Sequence, residues 1–216
     1  MSEIRFRLAK PSDAKQIAYV HYHIRDKYDQ GFFAQVNYSF LEQYYKVMLN
    51  DPNEVFVCAE NDEGKILGFN SGSLDAAKQF DSMRKHKWSF IWPLMTSAIS
   101  KPSIIKSALD RFKSTKGESD TQYVSPNGAR GEYWGWLSND KDTDASVEMQ
   151  ERWMAIMKNL GVKEFFFEVD TVNKKIFKFH KINGATILNT YTLPDGRERA
   201  EMKYDLTTFK FKFIKI

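Results

Sequence analysis

One stretch of the chain gathers the residues best placed to hold a ligand and move a proton. Phe165-Phe166-Phe167-Glu168-Val169-Asp170-Thr171-Val172-Asn173 reads as a buried strand with an Asn at its carboxyl end. The run from Lys174 to Ala185 follows as a short helix stopped by Gly184. Carboxyl ends of strands are where α/β proteins place ligands. On that helix Ile176, Phe177 and Phe179 can pack inward and leave His180 facing a cleft. A His of ordinary pKa donates a proton near neutral pH. Asn173 can contact a ligand, cap the helix, or do both. Glu132 and Glu60, near strand ends, could accept a proton. Cys58 is the only cysteine and sits in the apolar run Val55-Phe56-Val57-Cys58-Ala59. It reads as a small core residue, which excludes a disulfide framework and a Cys-based metal site. His21 and His23 are two apart on a helix and do not share a face, so no metal is expected there.

The elements around these residues follow from periodicity. Ile4, Phe6 and Leu8 alternate with Arg5 and Arg7 as a half-buried strand, and Pro11-Ser12-Asp13 opens a helix to about Tyr28. Gly31 to Asn37 reads as a loop, and Phe40 to Met48 as an amphipathic helix. Glu54 to Glu60 and Lys65 to Leu74 form a hairpin about Asn61-Asp62-Glu63-Gly64. Ala76 to Lys116 is helical, with breaks expected at Pro93 and Pro102, and Gly117 to Arg130 is polar and reads as a mobile loop. Glu132 to Ser138 is a strand in which Trp134 and Trp136 face one side, and Tyr133 and Gly135 the other. Gly135 leaves room either for a ligand or for close packing. A helix capped by Asp144 or Ser146 runs to Asn159. After the opening strand and helix come two strands, Thr186 to Leu193 and Arg199 to Leu206. The alternation of Phe209, Phe211 and Phe213 with Lys210 and Lys212 predicts an extra strand over 207–216, added to its own sheet or pairing two subunits in a homodimer.

The chain has 216 residues, 42% hydrophobic and 15% aromatic, which suits one folded domain. The net charge of +4 is unevenly spread: Lys78 to Lys116 holds nine Lys/Arg against two Asp/Glu. Trp88, Phe90, Ile91, Trp92, Leu94 and Met95 lie beside Arg84-Lys85-His86-Lys87. A basic helical insertion packed on the domain is expected, with a lid over a cleft and a weak membrane-surface contact through 84–95 left open. No nucleic-acid motif is present, and no signal peptide or membrane span is read, so a cytoplasmic location is expected.

The order β-α-α-β-β, insertion, β-α-β-α-β-β resembles the GNAT superfamily of acyl-CoA N-acyltransferases. Residue-level matches support the resemblance: Arg7-Leu8-Ala9 with Ser12-Asp13-Ala14, Gly31-Phe32-Phe33 with Phe40-Leu41 and Tyr44-Tyr45, Ile66-Leu67-Gly68-Phe69, and Asn173 with His180 and Gly184-Ala185. The last is similar to N-x-x-A-x-x-x-Y-x-x-x-G-F, in which the Asn contacts acetyl-CoA and the Tyr faces the cofactor sulfur; His180 holds the Tyr place. The resemblance implies a single α/β domain over 1–216. Its mixed, mostly antiparallel central sheet is flanked by helices, with an insertion over 75–130 between the third and fourth strands. It implies acetyl transfer from acetyl-CoA, by direct attack, to an amine of a small molecule or sugar nucleotide. His180 is then the acid and Glu132 the base, with cofactor contacts at Asn173, Leu137, Asn139, Ala145 and Ser146.

The resemblance fails at one place. The family carries Q/R-x-x-G-x-G/A between the fourth strand and third helix, where glycines let backbone N–H groups reach the CoA pyrophosphate. Leu137 to Ser146 has no glycine, three aspartates and one cation, Lys141. Each exposed carboxylate within about 5 Å of a phosphate opposes it by roughly 1 kcal/mol. Two other readings therefore stay open: a non-catalytic GNAT-like binding module, and a transferase fed by an acyl carrier protein, whose phosphopantetheine arm lacks the nucleotide end.

Overall fold

The computed structural model describes residues 3–25, 31–114, 128–137, 142–193 and 195–214. Strand β2 (Glu54–Glu60) is apolar on both faces and organises the molecule. Val55, Val57 and Ala59 enter one core, while Phe56 and Cys58 enter another on the opposite side of the sheet. A strand buried on both faces reads as a continuous apolar run rather than an alternating one. β2 pairs antiparallel with β1 (Arg5–Leu8) on one side and β3 (Ile66–Ser73) on the other. β3 then pairs antiparallel with β4 (Ala129–Trp136). The other half of the sheet is β5 (Glu164–Asp170), β7 (Glu198–Asp205) and the edge strand β6 (Thr186–Thr192), all antiparallel. Among the described residues the sheet has seven strands in the order β1-β2-β3-β4-β5-β7-β6.

The two halves meet at β4 and β5, the one parallel pair among the described residues. Pairing covers only Ala129 with Phe165 and Arg130 with Phe166. Both strands continue beyond it, to Trp136 and Asp170, without hydrogen bonding to each other. The sheet is therefore split into a wedge that opens toward the carboxyl ends of both strands.

Helices cover both faces. α1 (Ala14–Ile24), entered through a 3-10 turn at Pro11–Asp13, packs with α3 (Tyr38–Met48) over the first core. Gly31 to Asn37, expected as a loop, contains the short helix α2 (Phe32–Gln35), which buries Phe32. On the opposite face lie α7 (Thr143–Asn159) and α8 (Lys174–Ile182).

Among its described residues the insertion between β3 and β4 forms three helices: α4 (Ala76–Lys85), α5 (Lys87–Ser100) and α6 (Ser103–Ser114). The break expected at Pro93 is absent; the helix runs through it and is interrupted at His86 instead. Proline removes its own N–H, the partner of the Ser89 carbonyl one turn earlier, while its own carbonyl accepts from the Thr96 and Ser97 hydroxyls at 2.8 and 3.0 Å. The loop expected over 117–130 falls mainly outside the described residues.

The tail is corrected. Residues 207–214 form no strand. Phe209 and Phe211 instead pack on the core around Tyr204, and the Lys212 and Phe213 amides both donate to Glu151 Oε2 at 2.8 Å. Docking against α7 thus covers Phe209 and Phe211 but leaves Phe213 exposed. A carboxylate accepts both amides that a sheet edge would have paired.

Candidate active site

The wedge opens into a cavity of about 820 Å³. The charged side chains at its base come from β4 and β5, with Arg197 just before β7 and Arg199 at its start. Along β5, Phe165, Phe167 and Val169 enter the α7/α8 core, which turns Glu168 and Asp170 to the other face. In β4 strict alternation would place Glu132 with Trp134. A bulge prevents this: Gly131 pairs with Gly72 and Trp134 with Asn70, so Glu132 and Tyr133 together oppose Ser71. Glu132 consequently reaches Tyr44 of α3, while Tyr133 packs on His21 of α1. Bulges commonly re-aim a side chain in this way beside functional sites. Glu132 is also corrected in position. It lies mid-strand and buried, not exposed at a strand start.

Glu132 sits in a charge network. Arg130 Nη1 donates to Glu132 Oε1 at 3.2 Å and to Gln79 Oε1 at 3.3 Å, and Arg130 Nη2 donates to Glu168 Oε2 at 3.4 Å. The Tyr44 hydroxyl donates to Glu132 Oε2 at 3.4 Å. Burial raises the pKa of Glu132, and Arg130 partly opposes the shift. Glu54, close behind, is raised by burial and by the Glu132 carboxylate. A buried carboxylate with a raised pKa is a stronger base than an exposed one. The Arg130 Nε hydrogen is buried and has no partner among the described residues.

A second ion cluster lies at the carboxyl end of β5. Asp170 accepts from Arg197 and, at 2.7 Å, from Arg199 Nε, and Arg197 also binds Asp195 at 2.8 Å. The opposite wall comes from α2 and the insertion and is largely apolar, with Phe32, Phe33, Phe80, Phe90 and Leu94, but the insertion also brings Arg84, Lys87 and Arg111 to it. The insertion therefore forms a lid over the cleft.

His180 does line the cavity, as the sequence leads one to expect, but as a buried side chain. It points between β5 and β7, against Phe167 and Trp134, with Nδ1 3.1 Å from the Tyr204 hydroxyl. Burial lowers its pKa to about 4, so it is neutral at physiological pH and holds no imidazolium proton to give. Asn173 does lie on the cavity, and its side-chain oxygen accepts the Ile176 amide at 3.4 Å, capping α8. The expected contact residues at the start of α7 are already engaged. The Leu137 amide donates to the Leu67 carbonyl at 2.8 Å. The helix cap is Asp142, not Asp144 or Ser146: its Oδ1 accepts the Ala145 amide at 2.9 Å, and its carbonyl accepts the Ser146 amide at 3.0 Å. The Ser146 hydroxyl and carbonyl both accept from Trp134 Nε1 at 3.1 Å. Asn139 lies outside the described residues.

Of the remaining candidates, Glu60 is held by Arg5 and Arg7 and is far from proton chemistry. Burial pushes the Cys58 thiol up to about 12, which leaves no thiolate nucleophile. Gly135 makes no room for a ligand, since a Cβ there would meet Ile24 Cδ1 at 2.4 Å. His21 is buried against Tyr45, and burial lowers its pKa to about 3. No group of metal-binding side chains occurs among the described residues. Sequence reasoning missed Arg130, Glu168, Asp170, Arg197 and Arg199. Glu168 and Asp170 at i and i+2 of an otherwise apolar strand were the available signal.

This architecture is the GNAT fold. No family model matches the chain, and no curated protein matches it. Among solved structures it is similar to a GNAT-family acetyltransferase from Streptococcus pneumoniae, with TM-score 0.56 and 12% identity over 94% of this chain and 99% of that one. It is similar to yncA from Salmonella typhimurium, solved with its cofactor acetyl-CoA (TM-score 0.56, 10% identity, 98% of each chain). A third likeness is to the spermidine/spermine N-acetyltransferase SpeG from Vibrio cholerae (TM-score 0.52, 10% identity, 95% of this chain and 94% of that one).

Proposed function

We propose that the chain is an acyltransferase that moves an acyl group, acetyl in the leading form, from a pantetheine thioester to an amine. The observation that supports this most is the split between β4 and β5, with a raised-pKa carboxylate, Glu132, at its base and an open cavity in front of it. The wedge suits the narrow arm of the donor, with Trp134, Phe167, Asn173 and Ile176 along it. The acceptor amine would enter from the α3 and insertion side, where Glu132 takes the proton that an ammonium must lose before it attacks. Arg130 Nε offers one further donor to a polar group of the acceptor. With Cys58 buried and protonated, attack is direct and no acyl group is carried on the protein. His180 serves as a neutral packing and hydrogen-bonding residue that fixes α8 against β7. SpeG makes a small amine a reasonable probe acceptor; a sugar nucleotide suits the arginines of the cavity.

The donor's far end distinguishes two versions. CoA needs a place for its diphosphate, and at α7 Asp142 already takes the Ala145 amide with a carboxylate. A carrier-protein arm has no such need, so the second reading, an acyl-carrier-protein donor, is favoured by the Asp142 cap. Calorimetric titration with acetyl-CoA and with acetyl-pantetheine, which lacks the nucleotide, tests both. Similar affinities for the two thioesters fit the self-capped helix. Much tighter binding of acetyl-CoA means that the loop holds the diphosphate after all. No heat with either thioester removes the donor site and leaves the non-catalytic binding module.

A further inference from the structure

Helix α5 is apolar on two opposite sides. Phe90, Leu94 and Ala98 face the core beside Phe40. Trp88, Trp92, Met95 and Ile99 are spaced by four, three and four residues, which sets them in one line along the outer face. They are 73, 77, 51 and 83% exposed. Ile91 flanks the line, and Ile105 and Leu109 of α6 are exposed as well. Single exposed apolar residues need no explanation, but a continuous stripe that includes two tryptophans does.

The rim of the stripe is basic. Lys85, Lys87, Lys101 and Lys106 are exposed, and no Asp or Glu occurs between Asp81 and Asp110. A helix with an apolar outer face, interfacial tryptophans and lysines at its margins has the composition of one that lies in a bilayer interface. With 14 residues α5 is about 21 Å long, short of the roughly 30 Å hydrocarbon core. No helix among the described residues is long and apolar enough to cross a membrane. A second copy of the chain is a poor occupant, because pairing the stripes would bring two basic rims together.

We propose that the outer face of α5 and α6 docks on an anionic lipid bilayer, with α5 in the plane of the headgroups. The lysines contact the anionic headgroups, and the tryptophans and Ile99 enter the upper acyl region. Trp88, Ile91, Ile105 and Leu109 also line the cavity, so docking holds the cavity's rim at the headgroup level. The proposal does not depend on acyl transfer.

The test is co-sedimentation of the full chain with phosphatidylcholine vesicles and with equimolar phosphatidylcholine–phosphatidylglycerol vesicles. Sedimentation with the anionic vesicles, weaker with the neutral ones and reduced by salt, is the expected result. Trp92→Ser with Ile99→Ser should abolish it. Lys101→Glu with Lys106→Glu should weaken it by about fivefold or more per residue changed; both lysines are exposed, so this pair keeps the test decisive if the apolar pair disturbs folding. Failure of the wild type to sediment with anionic vesicles at low salt overturns the proposal, as does unchanged sedimentation of both variants. A wild-type dimer that Trp92→Ser dissociates, without vesicle binding, assigns the face to a second copy instead.

Discussion

Asp142 should act in opposite directions on stability and on donor binding, and the two can be separated by choice of substitution. Its carboxylate accepts the Ala145 amide at 2.9 Å at the positive end of a 17-residue helix. Removing such a cap with Ala costs about 1 kcal/mol, and loss of a negative charge at the helix start adds about 0.3–1 kcal/mol. For a chain of this size the sum lowers Tm by about 3–8 °C. Ser keeps an acceptor at the cap and removes the charge, so Asp142→Ser should lose only the smaller part. A carboxylate about 5 Å from a phosphate repels it by roughly 1 kcal/mol, which is about fivefold in affinity. Asp142→Ser should therefore bind acetyl-CoA about fivefold tighter than wild type while binding acetyl-pantetheine equally well. Calorimetry with both thioesters at low salt reads the difference, and added salt should shrink it. Equal gains for both thioesters, or weaker binding of acetyl-CoA by the Ser variant, would refute the electrostatic reasoning and make Asp142 part of a working site.

Other expectations concern the buried histidines, the caps and the tail. His180 and His21 titrate near 6.5 when unfolded and are lowered to about 4 and about 3 in the fold, so stability is full above pH 6.5 and falls as the pH drops toward 4. Each contributes a loss of about 2 kcal/mol by about pH 5; denaturation of His180→Asn should show a correspondingly shallower acid slope, and an unchanged slope contradicts a neutral buried imidazole. Asn173→Ala should weaken thioester binding and cost about 1 kcal/mol as a lost cap, whereas Asn173→Asp should keep the cap; calorimetry and melting together separate the two effects. Deleting residues from Phe209 onward leaves the buried Glu151 carboxylate without two donors and should cost about 1–3 kcal/mol or more, and an unchanged melting temperature rules out the docked tail.

The fold was legible in the sequence because its elements carry strong local signals. The Asn61 to Gly64 turn, the double-faced run of β2 and the strand–Asn–helix–Gly sequence from Glu164 to Gly184 were each readable from period and punctuation alone. The site was less legible because it depends on long-range register. Nothing local reveals that β4 carries a bulge at Glu132-Tyr133, and strict alternation would have turned Glu132 toward Trp134. His180 lay on an amphipathic helix whose polar and apolar sides are ambiguous when the inner side also holds a histidine. The tail misled for a related reason. Period-two alternation showed that Phe209 and Phe211 pack, but not that Phe213 is exposed or that a carboxylate rather than a strand accepts the Lys212 and Phe213 amides.

The most direct test of the central claim is amine-dependent thiol release, measured from about pH 5 to about pH 9 with acetyl-CoA and acetyl-pantetheine, with spermidine and other primary amines as probe acceptors. The acyl-transfer account predicts release that requires the amine and rises with pH through the raised pKa of Glu132. It predicts a fall of about a hundred- to ten-thousandfold in Glu132→Gln with the thioester affinity unchanged. Amine-dependent release of equal rate in Glu132→Gln would contradict the assignment of the base, and its absence from the wild type with every thioester and amine would contradict acyl transfer at this wedge.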